Sequence, residues 1–128
     1  MGRKGSIEAI HNQHPDLKIY QTEHECGNGK NSWAYAEYGW DLMKHYFLNG
    51  ANAYMYWNIS LLDNGVSTWG WKQNSLASVN KENKTYTFNN DYYLIKHVSH
   101  FVKPGAVLLK TSSPVIKKHP TEVIKKNL

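Results

Sequence analysis

The chain has 128 residues, a formal net charge of +5, 41% hydrophobic and 20% charged residues, and a single cysteine. One small domain's worth of sequence is present, no internal disulfide can form, and no apolar run approaches the roughly 18 residues of a membrane span. The aromatic content is unusual, at five Trp, nine Tyr and three Phe. Exposed rings of this kind give flat apolar faces with a polar edge, to which the axial C–H faces of sugars are suited.

"GSIEAIHNQHPD" predicts a short helix, with Ile7 and Ile10 on one face and Pro15 closing it. The start of the chain is basic but lacks the apolar core of a signal peptide. "LKIYQTE" predicts a strand with Leu17, Ile19, Gln21 and Glu23 on one side. The Gly/Asn stretch "CGNGKN" is a loop. "SWAYAEYGWDLMKHYFLNG" is the clearest helix. Asn31 or Ser32 is its cap, Trp33, Ala36, Trp40, Met43 and Phe47 its apolar stripe, and Asn49-Gly50 its left-handed stop.

"ANAYMYWNIS" has little polar alternation, which suits a strand covered on both faces in a parallel sheet. "LLDNGVSTWGWKQNS" reads as a long loop, and "SLASV" with "KTYTF" as a hairpin around "NKEN". "NDYYLIKHVSHFV" predicts a helix capped near Asn90 or Asp91, with Tyr92, Ile95, Val98 and Phe101 on one side. "KPGAVLL" breaks it and starts an extended segment. The lysine-rich remainder has weak patterning and is expected to be disordered. Alternating helices and strands predict an α/β fold, and two parallel strands do not make an independent sheet. The chain is therefore expected to be part of a larger sheet.

The run Glu23, His24, Glu25, Cys26 crowds four chemically able side chains together. A metal site would need His11 and His14 as well, but the intervening strand separates the two pairs by about 20 Å or more at ~3.3 Å per residue. A nucleophilic thiol at Cys26 lacks a partner base in any readable spacing. Glu23 sits at the end of a strand, where parallel α/β enzymes carry catalytic groups. Glu25 lies in the loop, with a less fixed aim.

"QTEHECGNGKNSW", "LMKHYFLNGANAYMYWNISL", "STWGWKQNSL" and "YYLIKHVSHFVKPGA", in that order, resemble the C-terminal part of the catalytic domain of glycoside hydrolase family 30, the glucosylceramidase-like family. The resemblance covers roughly residues 5 to 109. It implies an α/β fold, the C-terminal portion of a (β/α)8 TIM barrel. "LKIYQTE" would be the seventh strand, "ANAYMYWNIS" the eighth, and "AVLL" the entry to a β-sandwich side domain. On this reading residues 1–103 belong to the barrel domain, and 104–128 to the start of the sandwich or to a disordered tail.

The resemblance also implies a retaining β-glycosidase. The Thr22-Glu23 pair matches the family's nucleophile position, so Glu23 would be catalytic. Trp57-Asn58 matches the "WN" after the eighth strand. Trp57, Asn58, Trp69 and Trp71 would bind substrate. No cofactor and no metal are implied. The implied partners are a carbohydrate or glycolipid substrate, such as glucosylceramide, and the N-terminal part of the same barrel, with no nucleic acid and no membrane span. A secreted or extracytoplasmic parent enzyme is expected.

Retaining enzymes need a second carboxyl group about 5–5.5 Å from the nucleophile. The family places it in an Asn-Glu pair on the fourth strand, and no such dipeptide occurs here. The chain is expected to be a fragment, inactive alone. The alternative is a non-catalytic carbohydrate-binding module built on exposed tryptophans. A basic nucleic-acid binder using the lysine tail is a third reading.

Overall fold

A computed structural model describes residues 4–23 and 26–109. Its elements, in chain order, are α1 (Lys4–Gln13), β1 (Ile19–Gln21), α2 (Trp33–Leu48), β2 (Ala51–Tyr54), β3 (Ser60–Leu62), β4 (Ala77–Asn80), β5 (Thr85–Phe88) and α3 (Asn90–Phe101). The fold is mixed α/β with two small sheets. None of the described helices is long and apolar enough to cross a membrane.

β1 and β2 run parallel, with α2 as the connection between them. Both strands are shorter than their apolar runs. β1 stops at Gln21 instead of reaching Glu23, and Leu17 stands exposed. Its register shifts between Ile19 and Tyr20. There the Asn52 side-chain oxygen accepts the Ile19 amide at 3.0 Å, a side chain standing in for a ladder acceptor. β2 ends at Tyr54, so the alternation that would put Trp57 in line with Ala53 and Met55 stops before Trp57.

α2 starts where Ser32 caps it, the hydroxyl accepting the Tyr35 amide at 3.3 Å. It ends at Asn49, whose Nδ2 donates to the His45 carbonyl at 2.8 Å. Gly50 follows at φ 88° and lies against the His11 ring, so it supplies both the left-handed stop and the close approach to α1. The buried face of α2 is Tyr35, Ala36, Gly39, Leu42 and Met43. Of the predicted stripe only Ala36 and Met43 are on it. Trp33 is exposed, and with Trp40 it lines a cavity of about 270 Å³ shared with Glu37 and with Leu94 and His97 of α3. Its indole N–H donates to Glu37 Oε1 at 3.0 Å. The small Gly39 and Ala36 let α2 sit close to its neighbours, and the large rings are left at the margin.

The second sheet has the order β3-β4-β5, β3 parallel to β4 and β4 antiparallel to β5. The predicted hairpin is present. Asn80 Oδ1 accepts the amides of Glu82 (3.0 Å) and Asn83 (3.1 Å), an Asx turn, and Lys84 takes the positive φ of 56° that closes the reversal. β3 corrects the reading of the whole 61–75 stretch as loop. Its short "SLL" run lacks an alternating signal and becomes a strand by pairing with β4.

Asn89 stands at the N-cap position of α3, one residue before the predicted one, and its side chain bonds elsewhere. The Asn89 amide group donates to the Ser75 carbonyl and the Ser78 hydroxyl, both at 2.9 Å. Tyr92, Ile95 and Val98 are half-buried, but Phe101 is exposed at the helix end. Residues 102–109 form no strand, and Val107, Leu108 and Leu109 are exposed. The lysine-rich tail, together with His24 and Glu25, lies outside the described residues.

The apolar core is small: Ile7, Tyr35, Ala36, Leu42, Met43 and Ala51. Beside it lies a buried polar group of Ser67, Gln73, Asn74, Ser75 and Asp91. Ile10, expected on the buried side of α1 with Ile7, is exposed.

Candidate functional site

Because β1 and β2 are parallel neighbours, their carboxyl ends open on the same side. Glu23 leaves β1 two residues after Gln21, and Trp57 leaves β2 three residues after Tyr54. The Met55 amide donates to the Gln21 carbonyl at 2.9 Å, so the two exits are tied together past the last paired residues. The Gln21 side-chain amide donates to the Glu23 carbonyl, which shapes the chain as it turns off the strand. The Glu23 residue itself is exposed.

Trp57 and Trp69 come together, with ring centroids 6.4 Å apart and planes tilted by 32°. Trp69 and Trp71 project from a turn closed by Ser67. The Ser67 amide donates to the Trp71 carbonyl at 2.8 Å, and its carbonyl accepts the Gly70 amide at 2.9 Å. Trp69 and Trp71 are both about two-thirds exposed, at 67% and 66%. Among the described residues Trp71 makes no ring contact with Trp57 or Trp69. Two accessible indoles tilted by 32° thus present apolar faces next to each other.

Asn58 is engaged within the protein. Its amide nitrogen donates to Gln73 Oε1 at 3.1 Å and to the Asn74 carbonyl at 3.3 Å. It thereby fastens the tryptophan-bearing segment to the segment before β4.

Three residues here had no signal in the sequence: Asn74, Asp91 and Tyr56. Asn74 is fully buried, and its side-chain oxygen accepts the amides of Gly29 (3.0 Å) and Asn31 (3.1 Å). It holds the loop that follows Glu23. Gly27, at φ 66°, packs on Asn74 and Tyr35, where a Cβ would meet both. Asp91, in the first turn of α3, is 3% exposed. Burial raises its carboxyl to about 6, against the opposing hydrogen bonds of the Tyr56 hydroxyl, its own backbone and the Asn74 amide. Tyr56 is pushed far above the usual phenol range, by burial first and then by the Asp91 charge. In the sequence Asp91 is one more helix-start carboxylate, Asn74 one more loop amide, and Tyr56 one ring among nine. Cys26 is half-buried, and its carbonyl accepts the Asn74 amide. Among the described residues no three His, Cys, Asp or Glu side chains are gathered as a metal would need.

In fold, the chain is similar to solved structures. SrfJ from Salmonella typhimurium matches over 80% of this chain and 24% of its own, with 21% identity and a TM-score of 0.69. The endo-beta1,6-glucanase BT3312 matches over 88% of this chain and 27% of its own, with 24% identity and a TM-score of 0.65. The fold is glycosidase-like. No protein-family model and no curated protein sequence matches the chain. The chain spans about a quarter of the length of the solved structures it resembles.

Proposed function

We propose that the chain supplies the seventh- and eighth-strand portion of a (β/α)8 barrel in a retaining β-glycosidase of glycoside hydrolase family 30. In that reading β1 and β2 are the seventh and eighth strands, and α3 is the last barrel helix. The observation that carries the reading is the parallel pairing of β1 with β2, which sends Glu23 and Trp57 out of the same edge. The likeness to an endo-beta1,6-glucanase supports the same class of reaction.

Glu23 would attack the anomeric carbon of a β-glucoside as the glycosidic bond breaks and a general acid protonates the departing oxygen, forming a glycosyl-enzyme that water then hydrolyses. Trp57 and Trp69 would carry the apolar sugar face, with Trp71 further out along the chain of sugars. Asn58 would act from behind, by fixing Trp57. The general acid must come from a part of the barrel that these residues do not include. The chain alone would bind weakly and turn nothing over. β-Linked glucosides are the substrate class; glucosylceramide in particular draws no support from either structural likeness. Several large apolar side chains stand exposed, including Ile59, Val107 and Leu109, as they would where neighbouring barrel elements or a side domain cover them.

The test is a chimera in which this chain replaces the matching quarter of the endo-beta1,6-glucanase. A 2-deoxy-2-fluoro-β-glucoside with a good leaving group should label the peptide containing Glu23, and Glu23→Gln should abolish both label and turnover. Label on a different residue, or turnover untouched by Glu23→Gln, would overturn the assignment. A second reading rests on the exposed Trp57–Trp69 pair: a non-catalytic sugar-binding module. Sugar affinity without labelling would favour it.

A further inference from the structure

The sequence contains three Asn-Gly pairs, Asn28-Gly29, Asn49-Gly50 and Asn64-Gly65. Such pairs age chemically, because glycine has no side chain to keep its backbone nitrogen away from the preceding carboxamide. In this fold every one of those glycine nitrogens donates a hydrogen bond, which must break before the nitrogen can lose its proton and attack. The acceptors differ. Gly50 donates to the Phe47 carbonyl at 3.3 Å and Gly65 to the Leu62 carbonyl at 2.8 Å, each within its own turn. Gly29 donates to the Asn74 side-chain oxygen at 3.0 Å, 45 residues away. Asn74 is itself fixed, fully buried and with its amide on the Cys26 carbonyl. Asn28 is exposed, and its Oδ1 accepts the Lys30 amide at 3.1 Å. That Asx turn folds the carboxamide back along its own chain, past the Gly29 peptide, where water reaches it. At Asn49, by contrast, the carboxamide nitrogen is bonded to the His45 carbonyl at 2.8 Å.

We propose that Asn28-Gly29 is a site of spontaneous deamidation gated by Asn74: the pair is inert while the Gly29–Asn74 bond holds, and converts when the loop opens. Once released, the Gly29 nitrogen gives up its proton to water and bonds to Asn28 Cγ. The Cγ–Nδ2 bond breaks, and Nδ2 leaves as ammonia with a proton returned from water. A second water opens the cyclic imide at either carbonyl, leaving aspartate or isoaspartate. Overall one water is consumed and one ammonia released, and nothing is oxidised or reduced. Either product adds a negative charge to the loop after Glu23. Isoaspartate also lengthens the main chain by one carbon, which moves Gly29 out of register with Asn74 and makes the opening permanent. The proposal uses only the hydrogen bonds of this loop and stands apart from the glycosidase reading.

The experiment is peptide mapping by mass spectrometry of the full chain, incubated warm at mildly alkaline pH, with the Asn-to-Asp mass gain followed at each pair. In concentrated urea all three pairs should convert, while in the native wild type Asn28 should stay intact over the same period. Asn74→Ala should raise conversion at Asn28 about tenfold, because losing the buried acceptor favours the open loop by ~1.4 kcal/mol. Asn49 and Asn64 should keep their wild-type rates, since their glycines are held by local carbonyls. Hydrogen exchange of the Gly29 amide is the second measurement. As urea is raised below the unfolding transition, conversion at Asn28 in the wild type should rise in step with Gly29 exchange. If Asn74→Ala speeds all three pairs alike, the variant has lost its fold and this wild-type comparison decides. Conversion of wild-type Asn28 as fast as in concentrated urea, or independent of Gly29 exchange, would overturn the proposal. So would a folded Asn74→Ala variant whose Asn28 converts at the wild-type rate.

Discussion

The side-chain oxygen of Asn74 accepts the backbone amide of Gly29 at 3.0 Å, across 45 residues of sequence. The same oxygen takes the Asn31 amide. One buried amide thus does for the loop after Glu23 what a strand partner does for a strand: it satisfies donors that would otherwise be buried without acceptors.

Asn74→Ala should therefore be among the costliest single changes. It leaves the Gly29 and Asn31 donors without their acceptor, at about 1–3 kcal/mol for a buried unsatisfied group. Urea unfolding should show a loss of roughly 3 kcal/mol, with the slope unchanged. A loss under about 0.5 kcal/mol would show that water replaces Asn74 freely.

Gly50 carries two constraints that a double substitution can separate. A Cβ at Gly50 would clash with the His11 ring, and its φ is 88°. Gly50→Ala should cost upwards of about 2 kcal/mol from steric and left-handed strain combined. Adding His11→Ala should relieve the steric share and leave about 1 kcal/mol of backbone strain. A double variant no better than Gly50→Ala would show that the His11 contact yields without cost.

Stability should depend on pH through Asp91. Its carboxyl is raised from 3.8 in the unfolded chain to about 6 in the folded one. The folded state therefore holds the proton more tightly, and this contribution is complete below pH ~4. It is lost as pH rises through the interval up to about 6, beyond which the ionised, desolvated carboxylate carries a constant penalty. The melting temperature should fall across that interval in the wild type and vary less in Asp91→Asn. Equal pH profiles in scanning calorimetry would remove Asp91 as the cause.

The tryptophan pair and Glu23 should separate in the glucanase chimera. Trp57→Ala should weaken binding of a β-glucan oligosaccharide about tenfold, near 1.4 kcal/mol, by removing one face of the pair. Glu23→Gln should leave that affinity within a factor of about two while abolishing turnover. Isothermal titration of both variants decides it; loss of binding with Glu23→Gln would make Glu23 a binding residue instead.

The elements of this chain were legible from local signals. Capping at Ser32, the Asn49-Gly50 stop and the "NKEN" reversal are each set within a few residues by backbone chemistry. For the candidate site the local facts are a glutamate two residues beyond the end of β1 and tryptophans in a Gly-containing turn. Where β1 and β2 stop, which face of α2 is buried, and that "SLL" becomes a strand depended on partners distant in sequence. So did the grouping of Asp91, Tyr56 and Asn74, and the use of Asn58 as a fastener for Trp57. Hydrophobic periodicity reports only which residues avoid water. Which polar groups meet inside, and at what angle two tryptophans face each other, is decided when the strands pair and their exits are brought within hydrogen-bonding reach.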